Sequence, residues 1–264
     1  MKKIGNIKYE VTGTTNQSIR IIAPKNTTLY VEKGRTNSVW SMTGEDFDWS
    51  RETKNIPSHR RTTEVYGIEK LAVEVKETEI AKQAGENPNF TKLVSKRDDS
   101  YVVMDSHFIG QLLTLSSDDG NFFYREGQLL AVVYEEGTTI SLKRQMVSGN
   151  AQEGDAFRAE QLGARTLCQI KVTGTALLIF EMKGDYNRID LDASNLRKKS
   201  ICVDPMKFIV TSSRVNIRRF PSTSDSKNVR DNIGYDYFMY LEATAGNQSV
   251  YVASQTQENY HKKI

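Results

Sequence analysis

The chain has 264 residues, of which 38% are hydrophobic and 26% charged, and its formal net charge is +3. That length allows one large domain or two to three small ones, and the modest apolar share favours small cores with burial between modules or subunits. The near-balance of charge excludes a chain-wide polyanion-binding composition. The longest apolar run, Leu129-Leu130-Ala131-Val132-Val133-Tyr134, is far shorter than the roughly 20 helical residues a membrane span needs.

The basic start, Met1-Lys2-Lys3, has no apolar stretch behind it and does not read as a secretory signal. Glu10 follows too soon for an acid-poor transit peptide. Cys168 and Cys202 are the two cysteines and fit a reduced compartment, so the expected location is cytoplasmic.

Taken in chain order, one pattern occurs three times. An alternating strand begins at Ser18-Ile19-Arg20-Ile21-Ile22, again at Gly110-Gln111-Leu112-Leu113-Thr114-Leu115, and again at Asn187-Arg188-Ile189-Asp190-Leu191. Each leads into a second strand and a tight turn. These are Leu29-Tyr30-Val31-Glu32-Lys33-Gly34, Phe122-Phe123-Tyr124-Arg125-Glu126-Gly127 and Ile201-Cys202-Val203-Asp204-Pro205-Met206. Ile22 to Gly34 and Leu115 to Gly127 are both 12 residues apart, whereas Leu191 to Met206 is 15. A further strand follows each turn, near Phe47, at Thr139-Ile140-Ser141-Leu142 and at Val215-Asn216-Ile217-Arg218.

Each copy is then expected to close with a hairpin: residues 64–68 with 70–75, residues 168–172 with 177–180 around Gly174, and residues 237–241 with 250–252 around Gly246. Residues 77–84 have the pattern of a two-turn helix, opening a polar linker to about Ser100. Residues 149–154 and 221–226 read as loops. Internal repetition with Gly and Asn punctuation predicts an all-β protein of three modules: residues 1–100 with the linker, 101–186 and 187–264.

Three motifs carry a family resemblance: Asn121-Phe122-Phe123-Tyr124-Arg125-Glu126-Gly127-Gln128-Leu129-Leu130-Ala131, the turn Val203-Asp204-Pro205 before Phe208-Ile209-Val210, and the closing Val250-Tyr251-Val252 with Gln255-Thr256. The chain resembles the altered inheritance of mitochondria proteins of the twenty-four class, and looks like a bacterial-type member. Where the family has Gly-Gly-Glu-Gly, this chain has Gly154-Asp155-Ala156-Phe157. The resemblance implies three tandem short double-stranded β-helix modules, similar to the subunit of the tryptophan RNA-binding attenuation protein. It also implies a homotrimeric ring, and links to mitochondrial inner-membrane organisation among the mitochondrial relatives. It supplies no catalytic residues.

The residues themselves offer little catalytic chemistry. A cupin-like metal centre needs two or three histidines with a carboxylate, and His59, His107 and His261 are scattered. No metal, cofactor or catalytic set is therefore expected, and a cupin-like small-molecule or metal-dependent enzyme ranks third. Lys198 and Lys199 beside Cys202 would lower its pKa, but both cysteines read as small buried hydrophobes. Trp40 and Trp49 flank Phe47 and read as a core or intermodule contact rather than a ligand patch.

The strongest charge asymmetry lies between residues 195 and 231, with a local +6 against −3 for the rest. Arg197, Lys198, Lys199, Arg214, Arg218 and Arg219 would line one edge of a ring and neutralise phosphates, with Phe208 and Phe220 near for stacking. The expected role is assembly or scaffolding through self-association and an unidentified protein partner. An RNA- or DNA-binding ring is the alternative.

Overall fold

The computed structural model describes residues 1–32, 36–40, 90–106, 109–125, 127–145, 147–148, 156–157, 167–220 and 238–255. Every regular element in them is a β-strand. The chain opens with β1 (Lys2–Ile4), β2 (Ile7–Thr12), β3 (Ser18–Ala23), β4 (Thr28–Glu32) and β5 (Thr36–Trp40). Next come β6 (Phe90–Val94), β7 (Ser100–Asp105), β8 (Leu112–Asp118), β9 (Asn121–Arg125), β10 (Leu129–Tyr134) and β11 (Thr139–Gln145). A short ribbon of β12 (Val147–Ser148) and β13 (Ala156–Phe157) precedes β14 (Leu167–Thr173) and β15 (Thr175–Glu181). The last third supplies β16 (Tyr186–Asp192), β17 (Ser200–Val203), β18 (Phe208–Ser212), β19 (Val215–Phe220), β20 (Phe238–Ala243) and β21 (Asn247–Ala253).

The chain divides into two compact units that interleave along the sequence. Unit one comprises residues 1–119, 129–142 and 172–181. It holds the sheets β1-β2-β3-β7-β5 and β6-β4-β10-β15-β8 around a core that includes Ile19, Ile21, Leu29, Leu93, Val102 and Val133. Unit two comprises residues 120–128, 143–171 and 182–264. Its sheets include the run β14-β9-β18-β21-β16 and the three strands β17-β20-β19, around Val203, Phe208, Met239, Leu241 and Val250.

The alternation read from the sequence is the burial pattern of β3 and β20, whose every second side chain is buried. β10, β15 and β18 differ: their apolar runs are buried on both faces, so alternation disappears where a strand lies inside its sheet and under a second layer.

Strand pairing repeats three times. In the last set β16 and β18 flank β21, while β17 and β19 flank β20. In the middle set β8 and β10 flank β15, while β9 and β11 flank β14. In the first set β3 and β5 flank β7, and β4 pairs β6. Even the irregularities coincide: a register shift falls between Thr36 and Ser38 in β5, Leu129 and Ala131 in β10, and Phe208 and Val210 in β18. Each bulge lies just past the repeated turn, where an extra residue bends the strand.

Neighbouring sets join by one rule. β4 pairs antiparallel with β10, placing Val31 opposite Ala131 and Tyr30 opposite Val132. β9 pairs antiparallel with β18 in the equivalent register, with Tyr124 opposite Val210 and Phe123 opposite Thr211.

The uneven spacing arises before the turn, in the longer connection between β16 and β17, whereas the turns keep their length and differ in chemistry. Gly127 sits at φ +77°, in the left-handed region that suits glycine. The third copy has Met206 there, and its turn is closed instead by Asp204, whose Oδ1 accepts the Met206 N–H at 2.8 Å. Gly174, between β14 and β15, has φ +95°, and a Cβ there would stand 2.7 Å from Thr138 Oγ1. Only glycine fits that turn, which passes between two sheets, without strain.

Two expectations need correcting. The closing pairs at 168–180 and 237–252 are not hairpins. β14 lies between β9 and β11, while β15 pairs β8 and β10. β20 pairs β17 and β19, while β21 pairs β16 and β18. The turns at Gly174 and Gly246 therefore carry the chain from one sheet to another. The polar stretch expected to link the first two modules carries β6 and ends at the start of β7, and both strands pair within the first set. Leu93 on β6 and Val102 and Met104 on β7 are fully buried. The basic start forms β1, which pairs with β2 in a hairpin around Gly5-Asn6. The expected hairpin at 64–75, the helix at 77–84, the strand near Phe47, the loops at 149–154 and 221–226, Trp49 and all three histidines lie outside the described residues.

Candidate interaction surface

The six cations singled out in the sequence fall around the sheet β17-β20-β19, but in different settings. Arg197 and Lys198 are exposed in the β16–β17 connection. That loop is shaped by its own side chains: Asp192 Oδ1 accepts the Ser194 N–H at 2.9 Å, and Asn195 Oδ1 accepts the Arg197 N–H at 3.1 Å. Leu196, 89% exposed, stands at its tip. Hydrogen bonds from Ser194 hold the Asp192 carboxyl below the usual carboxylate range. Arg214 is exposed in the β18–β19 turn. Arg219 lies on β19, its side chain outside the described residues.

Lys199 and Arg218 converge on an acid that the basic stretch did not contain. Register places Ser200 and Asn216 on either side of Glu242, and Cys202 and Arg218 on either side of Tyr240. Lys199 Nζ reaches Glu242 Oε1 at 2.8 Å, and Arg218 Nη2 lies 3.9 Å from Oε2. The Arg218 guanidinium also covers the Tyr240 ring, 4.2 Å from its centroid. The Lys199 hydrogen bond, reinforced by the charges of Lys199 and Arg218, holds the Glu242 carboxyl below its ordinary value. Its contribution to stability is therefore present above the unfolded carboxylate's pKa and is lost as pH falls through the lowered folded value.

Two of the six cations thus already have a carboxylate. Glu242→Gln is expected to release both and move elution from a heparin column to higher salt. Unchanged elution would remove this face from consideration as a polyanion surface.

Cys202 departs from the buried hydrophobe expected of it: it is exposed on β17, whereas Cys168 is buried on β14. Its thiol is pushed up by partial burial, with Arg218 opposing, rather than lowered by the adjacent lysines. Lys199 is turned to Glu242 instead. Cys202 therefore lacks the signature of an activated nucleophile. No group of three or more His, Cys, Asp or Glu that could hold a metal occurs among the described residues. No helix among them is long and apolar enough to cross a membrane.

Backbone rather than side-chain chemistry distinguishes this sheet. β17 stands at its end, paired with β20 alone among the described residues. The Ala243 N–H donates to Lys199 O at 2.9 Å. Alternation along an antiparallel strand then turns the N–H and C=O of Ser200 and Cys202 to the open side. β5 stands likewise at the end of its sheet, paired among the described residues with β7 alone. Open edges of this kind are templates for another strand.

The fold has a solved counterpart. The X-ray crystal structure of protein SPYM3_0169 from Streptococcus pyogenes is similar, with TM-score 0.59 and 13% identity over 95% of this chain and 94% of that one. At that identity the likeness speaks to the fold alone. No family model matches the chain, and no curated protein matches it.

Proposed function

We propose that this chain is a non-enzymatic assembly protein, built of three tandem short double-stranded β-helix modules, which associates as a homotrimeric ring. One observation carries the reading. The junction rule that joins neighbouring strand sets twice within the chain leaves one strand of each kind, β17 and β5, without that partner among the described residues. A second copy supplies both, and a chain whose ends complement one another closes by rotation into a ring. Two free thiols, one of them exposed, suit a reducing compartment and support a cytoplasmic location.

The mass in solution tests the proposal, read by light scattering with absorbance at 260 and 280 nm across the same peak. The expected result is three chains without nucleic acid; a clean monomer would sink the reading. Arg197, Lys198 and Arg214 are the exposed cations that favour the alternative of an RNA- or DNA-binding ring. Excess 260 nm absorbance removed by salt would put that alternative first.

A further inference from the structure

We infer that β17 of one copy pairs antiparallel with β5 of a second copy in a defined register: Val203 opposite Ser38, Cys202 opposite Val39, and Ile201 opposite Trp40. The inference rests on the assembly reading above and adds to it which backbone edges meet and which residues face each other.

The register follows from superposing the two junctions the chain already contains. Counted to the repeated turn, Val31, Tyr124 and Val203 are equivalent, each three residues before Gly34, Gly127 and Met206. Counted from the same turn, Ser38, Ala131 and Val210 are equivalent, each four residues after it. These three positions also follow immediately on the bulge in their strands. Val31 pairs Ala131 in the first junction and Tyr124 pairs Val210 in the second. The third member of each series, Val203 and Ser38, is the pair still to be made.

Other strand ends do not compete for the role. β8 and β16 end their sheets in equivalent positions, as do β11 and β19, and no junction among the described residues uses any of them. Only the strand before the repeated turn and the strand after it are joined from set to set.

Backbone polarity agrees with this register. At the first junction Tyr30 faces Val132, and Cys202 is the equivalent of Tyr30. The Lys199–Ala243 hydrogen bond independently turns the Cys202 N–H and C=O to the open side of β17. The contact is heterologous, one edge meeting a different edge of the next copy, so each copy offers both.

The native thiol makes the register testable. Cys202 is exposed, and Cys168 is buried and out of reach of the reagent. In Val39→Cys the new thiol is expected to lie directly across from Cys202 of the neighbour, with Cα atoms about 5.5 Å apart in a hydrogen-bonded antiparallel pair. A short bis-maleimide should then convert the chain into covalent species of two and three chains on a denaturing gel. Ser38→Cys should link far less, because neighbouring residues of a strand lie on opposite faces. Val39→Cys with Cys202→Ser should not link at all. The pair Ile201→Cys with Trp40→Cys, in a Cys202→Ser background, gives the same reading if Val39→Cys fails to fold.

A trimer by light scattering in which neither matched pair links, or in which Ser38→Cys links best, would overturn the register and leave the assembly standing. A monomer by light scattering would overturn both. Thiols consumed within a single chain, with no larger species, would overturn pairing between copies.

Discussion

Replacing Cys202 by proline should yield a natively folded monomer in place of the proposed trimer. The argument lies in which side of β17 carries each N–H. Residues 199, 201 and 203 direct theirs to β20, as the Ala243-to-Lys199 bond and the pairing of Ile201 with Leu241 fix. The Cys202 N–H faces away, so its loss costs the sheet β17-β20-β19 nothing, and proline is tolerated at that side of an edge strand. Across the proposed junction the same change removes a ladder hydrogen bond and leaves a buried carbonyl without a donor. Such a loss costs about 1–3 kcal/mol, or roughly ten- to a hundredfold in affinity at each junction. Cys202→Ser keeps the N–H and should remain trimeric. Light scattering reads the mass and circular dichroism the fold; a trimeric Cys202→Pro would take β17 out of the interface.

The second large effect is expected at Arg125, within unit two. Its side chain is 2% exposed, rare for a guanidinium. It ends β9 and reaches into the third turn, where Nη1 donates to the Met206 carbonyl at 2.5 Å and Nη2 lies 3.7 Å from Met206 Sδ. That turn is the one built without glycine. Asp204 caps it from inside through the Met206 N–H, and the guanidinium caps the Met206 carbonyl from outside.

Arg125→Ala removes a charged hydrogen bond, strands a buried carbonyl and leaves a void, a loss of roughly 3 kcal/mol. Arg125→Lys should recover only part of it, because an ammonium cannot reproduce the planar fork. The urea midpoint of each variant measures the effect, and an Arg125→Ala midpoint equal to that of the parent would refute the role.

Much of the secondary structure was legible because strand formation is a local matter. Alternation at residues 18–22 and 187–191, the continuous run at 129–134, and the turns at Gly127, Gly174 and Gly246 all lie where the sequence reading put them. The β1–β2 hairpin had a signal, Gly5-Asn6 between Ile4 and Ile7, that the sequence reading did not use. β6 was obscured by the charged run Lys96-Arg97-Asp98-Asp99 that follows it, and the place of β7 in the first set by its pairing with β3 and β5, which lie far back in the sequence.

The surface around Glu242 was not legible at all. A charge count over 195–231 cannot include a residue that reaches Lys199 only because β20 returns beside β17. Cys202 was misread for a related reason. Its neighbours in sequence mark a strand, but whether a strand has two partners or one depends on distant segments.

By itself, then, the sequence determined the strands, the threefold repeat and the shared turn, all of which arise from side-chain period and backbone preference over a few residues. The tertiary structure alone decided which strands pair, which cations are neutralised, and that β17 and β5 have no junction partner among the described residues. Those outcomes depend on backbone hydrogen bonds between segments tens of residues apart, and no local pattern records them.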